Sequence, residues 1–176
     1  MAACLLASVL GWLPVHAAQV AEHDLKAAYL YNFTRFVEWP AGIPPAGEPF
    51  RLCVVADDAT TAAIQRTMTG ESVLGRPAET VIPRSVHDVL RCQVLFVGRR
   101  EMRRAAPLLA AVRDRPVLTV GDGEDFAGEK ATGTIGFVRE GTRIRFDVNL
   151  EAAKRARLVI SSRLLQVSRN LGEKRQ

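Results

Sequence analysis

Histidine and cysteine are scarce in this chain, three of each in 176 residues, and the scarcity removes whole classes of chemistry. A structural zinc site wants four ligands, and no Cys-x-x-Cys redox pair occurs. No Gly-x-Ser-x-Gly element is present to expose a nucleophile, and neither His23 nor His87 lies in such a context. His87, beside Asp88, reads as a surface or capping residue. There is no Walker loop, and the Gly-x-Gly-x-x-Gly pattern begun by Gly121-Asp122-Gly123 fails at Phe126. Asp122, Glu124 and Asp125 lack the spacing of an EF-hand loop. The chain is therefore expected to be no enzyme, and to carry no cofactor and no metal.

Lysine is nearly absent as well. Lys26, Lys130, Lys154 and Lys174 are the only four, so the net charge of +5 comes almost wholly from arginine. Guanidinium groups suit planar contacts to carboxylate and phosphate. The densest basic patch, Arg99-Arg100-Glu-Met-Arg103-Arg104, has no interleaved aromatics and no accompanying nucleic-acid module, so no nucleic-acid partner is expected. No run of eighteen or more apolar residues follows residue 20, and the body of the chain is not expected to span a membrane.

What is present begins with an export signature. Cys4 to Val15 is almost wholly apolar, and Val15-His16-Ala17 before Ala18 has the small-residue spacing of a signal-peptidase site, although no Lys or Arg precedes the apolar run. Residues 1–17 are expected to be a cleaved signal peptide, leaving 18–176 as a single domain in the periplasm. Cleavage removes Cys4. Two cysteines left in an exported domain more often pair than stay free.

Five of the eleven aromatic residues crowd into Leu25–Pro40: Tyr29, Tyr31, Phe33, Phe36 and Trp39. At 100° per residue, Leu25, Tyr29, Leu30, Phe33, Phe36 and Val37 share one arc, the signature of an amphipathic helix. Ala27, Thr34, Arg35 and Glu38 fall opposite, with Tyr31 among them. Pro40 should stop the helix near Glu38. The arc serves to dock a first helix onto a core. A second use is open to Tyr31, Arg35 and Trp39, since aromatics with arginine make interface anchors.

Beyond a Pro/Gly linker, Phe50–Ala56, Gln93–Val97 and Val117–Val120 are short apolar runs of the kind that form buried strands, and Glu79–Ile82 is a weaker one. Helices are predicted over Thr60–Thr69, capped by Asp57 or Asp58, and over Glu101–Val112, where Pro107 either kinks the helix or starts a shorter one. Ser85 is placed to cap a short turn. Thr134–Val138 and Arg143–Val148 form a hairpin, with Ile144, Phe146 and Val148 dry and Arg143, Arg145 and Asp147 wet. Asn149 caps a helix running to about Ala156. Leu158–Ile160 is extended, and Ser161 or Ser162 caps a last helix ended by Gly172.

The fold class is thus α/β: a three-layer sandwich, mainly parallel, with helices on both faces and an antiparallel C-terminal hairpin at about residues 134–148. In a doubly wound strand order, the first strand and the strand after Cys92 are neighbours about 4.8 Å apart, which brings Cys53 and Cys92 within disulfide range. The same architecture puts Arg99, Arg100 and Asp122 at the carboxyl edge of the sheet, where ligands bind in such folds, and makes them candidates for an anion or small-ligand site.

Four stretches in this order carry a resemblance. They are Leu25–Pro40 (Lys-Ala-Ala-Tyr-Leu-Tyr-Asn-Phe…Phe-Val-Glu-Trp-Pro), Arg51–Ala56 with Arg91–Gly98, Pro116–Asp122, and Gly133–Leu165 with Ile-Arg-Phe-Asp-Val-Asn-Leu-Glu-Ala-Ala. Together they resemble the YfiR family of bacterial periplasmic proteins. The resemblance implies a binding protein that represses an inner-membrane diguanylate cyclase through the cyclase's periplasmic domain. It further implies sequestration by an outer-membrane peptidoglycan-binding lipoprotein, a homodimer, and a redox-sensitive disulfide at Cys53 and Cys92. Departures from the family pattern are the lack of any cysteine after Cys92, Thr132 beside Gly133 in place of a second glycine, and Arg157 where a helix-ending glycine is usual.

Overall fold

The structure, a computed structural model, describes residues 15–123, 125–128, 131 and 133–172. The expected signal segment lies outside the described residues except at 15–17. The chain opens with α1 (Val15–Phe36) and the two-residue strand β1 (Val37–Glu38), then β2 (Phe50–Val55) and α2 (Asp58–Met68). A short hairpin of β3 (Ser72–Val73) and β4 (Arg76–Val81) leads to α3 (Val86–Val89), β5 (Val94–Val97), α4 (Met102–Val112) and β6 (Leu118–Asp122). The last part holds β7 (Ile135–Glu140), β8 (Arg143–Val148), α5 (Leu150–Arg155), β9 (Val159–Ile160), α6 (Ser162–Val167) and α7 (Arg169–Gly172). Among the described residues no helix is long and apolar enough to cross a membrane.

Seven strands form one curled sheet in the order β3-β4-β2-β5-β6-β7-β8. The run from β4 through β7 is parallel, and antiparallel hairpins close both edges. The central strands are apolar at nearly every position because both of their faces are buried. In β2, Leu52 and Val54 join the larger core beneath α1 and α2, while Cys53 and Val55 join a second core beneath α3 and α4. The period of two thus divides one strand between two layers of helix.

The caps follow from short polar side chains. Asp57 Oδ1 accepts from the Thr60 N–H at 2.8 Å to start α2, and Ser85 and Asp88 form a reciprocal capping box around α3. Asn149 accepts from the Ala152 N–H at 3.0 Å to start α5. One helix, α4, continues through Pro107 rather than starting there.

Four expectations need correction. First, α1 ends at Phe36, because Val37 and Glu38 pair antiparallel with Ile160 and Val159 to make a separate two-stranded sheet. Second, its buried face is rotated. Leu25 is 44% exposed, whereas Ala27 and Thr34 are buried where α1 packs on α2. Thr34 tolerates the core because its hydroxyl donates to the Tyr31 carbonyl at 2.6 Å. Third, Asp147 is not on a wet face: it is buried and accepts from Arg169 Nε at 2.9 Å. Fourth, the last helix breaks at Ser168 into α6 and α7.

Cys53 and Cys92 are joined by a disulfide, their Cα atoms 5.9 Å apart. The strand order brings this about, since β2 and β5 are parallel neighbours with Cys53 opposite Leu95. The bridge is buried under α3, whose Asp88 carbonyl lies 3.5 Å from Cys92 Sγ.

Candidate functional site

The carboxyl ends of β2, β5 and β6 open into a cleft of about 450 Å³. Its floor is built from a lysine that the apolar pattern of α1 conceals. Lys26 sits within the buried face of α1, its side chain only 6% exposed, and Nζ donates to Glu22 Oε1 at 2.6 Å and to Asp122 Oδ2 at 2.8 Å. The Glu22 contact is the i, i+4 pairing of one helical turn. The Asp122 contact ties α1 to the end of β6. Glu22 also accepts from Arg139 at the end of β7. Arg99 Nη2 stands 4.0 Å from Asp122 Oδ1, and Arg100 lines the same wall. On the other side, His23 Nδ1 is 2.8 Å from the Thr60 hydroxyl, beside the capping carboxylate of Asp57.

The three residues expected at this edge, Arg99, Arg100 and Asp122, are therefore gathered in one cleft. Lys26, Glu22 and Arg139 escaped sequence reading. The signal for Lys26 was its place between Leu25 and Leu30 on an apolar stripe, where a lysine stays only if carboxylates meet it. Four cationic side chains face three carboxylates here, so the cleft is suited to a small ligand with its own charge pattern more than to bulk anion attraction.

Burial acts to raise the Glu22 carboxyl, but hydrogen bonds and charge from Lys26 and Arg139 prevail and hold it below its ordinary value of 4.5. A carboxyl depressed in the folded state contributes stability that is present above its unfolded pKa and lost as pH falls through the folded one. The wild type should therefore lose stability between about pH 5 and pH 3 more steeply than Glu22→Gln. Urea midpoints for the two proteins across that interval check this; parallel curves would refute it.

The three residues singled out for partner binding do not act as one group. Tyr31 donates its hydroxyl to Glu71 Oε2 at 2.7 Å, a bond that pushes the phenol above its usual value, and Arg35 is exposed one turn further along α1. Trp39 turns inward: its ring meets Phe50 edge-on at 5.2 Å, and Nε1 donates to the Gln93 carbonyl at 3.3 Å. Tyr31 and Arg35 share a helix face at the surface. Trp39 anchors the chain where it leaves β1.

A family model described as YfiR/HmsC-like matches residues 23–169, from the cleft side of α1 to the first residue of α7. No curated protein matches the chain.

Proposed function

The chain belongs to the YfiR/HmsC-like family of periplasmic regulators of cyclic-di-GMP signalling, and from that premise we propose that it binds the periplasmic sensor domain of an inner-membrane diguanylate cyclase and represses cyclic-di-GMP synthesis. The observation that carries this reading is the extent of the family match, which takes in both helical layers and every strand of the large sheet. The family is regulatory rather than catalytic, and the disulfide suits an oxidising compartment. Repression works by population shift: the protein must bind the inactive form of the cyclase more tightly than the active form. A homodimer engages the cyclase, and an outer-membrane peptidoglycan-binding lipoprotein relieves repression by sequestering it. Tyr31 and Arg35 supply part of the docking surface, while Trp39, turned inward against Phe50, anchors the chain just beyond α1.

Deletion of the gene should raise cellular cyclic-di-GMP, and the tagged protein should co-purify with a membrane protein that has a cyclase domain. Arg35→Glu should weaken that capture about tenfold or more. Unchanged cyclic-di-GMP on deletion, together with no membrane partner, would sink the proposal.

A second reading rests on the gathering of Arg99, Arg100 and Asp122 in one cleft. In it the domain is a periplasmic binding module for a small anionic ligand. Titration calorimetry with periplasmic extract fractions, wild type against Arg99→Ala/Arg100→Ala, separates the two readings.

A further inference from the structure

A second cavity, of about 380 Å³, lies at the opposite edge of the sheet, where the chain enters β5 and β6. Four arginines line it: Arg51, Arg91, Arg115 and Arg157. Its one acidic residue is Glu48, which is already engaged, 2.7 Å from Arg51 Nη1 and 3.3 Å from Arg91 Nη2. Glu48 thereby fixes two guanidinium groups in the wall. Arg115 and Arg157 have no carboxylate partner among the described residues, so the cavity keeps an excess of positive charge. The rest of the lining is chiefly apolar and rigid, from Ile43, Pro45, Leu90, Pro116 and Val117. Volume, an apolar wall and a few fixed polar groups are the attributes of a small-molecule site.

Arg157 adds an independent observation. The end of α5 is a Schellman turn, in which the Leu158 N–H donates to the Ala153 carbonyl at 2.9 Å and the Arg157 N–H to the Lys154 carbonyl at 3.0 Å. The position that closes such a turn adopts a left-handed backbone, where glycine is at ease and other residues are strained. Arg157 occupies it with φ of 58°. This strained position places a fourth arginine in the lining of the cavity.

We propose that this cavity is a binding site for a compact organic dianion, a phosphate monoester or a dicarboxylate with a short apolar body. The planar forks of Arg115 and Arg157 grip the anionic head bidentately. Arg51, paired with Glu48 and with Glu79 at 3.4 Å, and Arg91, paired with Glu48, form a fixed polar wall, and the proline and aliphatic wall takes the body. Cys92, one end of the disulfide, is also in the lining. The site is separate from the cleft at Lys26 and does not depend on the regulatory reading.

Titration calorimetry on the oxidised full chain tests it, with butyl phosphate and glutarate as dianions and butanol as the neutral control. One or both dianions should bind, and butanol should not. Heat with butyl phosphate alone assigns a phosphate monoester, and heat with glutarate alone a dicarboxylate. Arg115→Ala and Arg157→Gly should each raise Kd at least about tenfold, the loss of one charged bidentate contact. Arg157→Gly should at the same time melt above the wild type, since it relieves the left-handed strain. Arg143→Ala, an exposed arginine outside both cavities, should bind as the wild type does. Silence with both dianions overturns the proposal, as does undiminished binding by Arg157→Gly or Arg115→Ala.

Discussion

Reducing the Cys53–Cys92 bridge should lower the stability of this protein by about 4 kcal/mol, the chain-entropy value for a closed loop of this length. The bridge spans 39 positions of sequence, which include all of α2, the β3–β4 hairpin and α3. Without it, the unfolded chain regains the freedom of that whole segment. Core packing changes little by comparison, because both sulfurs stay under α3 and α4 as buried thiols. The entropic effect therefore decides the outcome. For a domain of this size each kcal/mol corresponds to roughly 2–4 °C in Tm, so the reduced protein should melt on the order of 10 °C below the oxidised one. Melts with and without a phosphine reductant measure this, and the Cys53→Ala/Cys92→Ala double variant should fall near the reduced wild type. A reduced protein that melts with the oxidised one would show that the native strands hold the loop closed unaided.

The second large effect is expected at Phe33. Its ring is fully buried and lies 5.0 Å from Phe146, 5.8 Å from Phe137 and 5.9 Å from Tyr29. This cluster fastens α1 to β7 and β8, on the side of the sheet away from the disulfide. Phe33→Ala should cost about 3–5 kcal/mol, because it removes buried area and leaves a cavity that neighbouring rings cannot fill without leaving their rotamers. Arg35→Ala, two residues on but exposed, should stay within about 0.5 kcal/mol. Urea denaturation of the pair tests whether α1 uses one face for the core and leaves the other free. If Arg35→Ala destabilised as much as Phe33→Ala, α1 would have no face to spare for a partner.

The parts of the fold that were legible in the sequence are those buried on both sides. Continuous apolar runs such as Phe50–Val55 and Val94–Val97 need no phase to be recognised, and their adjacency places Cys53 beside Cys92. The α1 helix was harder to read. Its pattern suggested Leu25 for the core and Thr34 for solvent, but packing against α2 as well as the sheet turns the helix so that small residues face inward. The β3–β4 hairpin was half missed. Its two turn residues are Leu74 and Gly75, both with positive φ, where Asn-Gly is the recognisable form, and Pro77 sits in β4 opposite Ser72. At the carboxyl-edge cleft, Arg99, Arg100 and Asp122 were found from topology alone. Lys26 and Arg139 were not, because their roles depend on contacts between residues far apart in the chain. The arginine cavity at the other edge was invisible for the same reason: Arg51 comes from β2, and Arg91, Arg115 and Arg157 come from three different connections.

The pairing of Val37 with Ile160 bears on the order in which the molecule is assembled. It joins the exit of the first helix to one of the last strands, so the segment closed between them includes the entire seven-stranded sheet. Loop-closure entropy disfavours so distant a contact until the intervening structure has shortened the path. In a chain that emerges amino end first, α1 is made at the outset, yet its far end has no strand partner until residues 159–160 arrive. The two short strands are a clasp, the last connection made and the natural first to open.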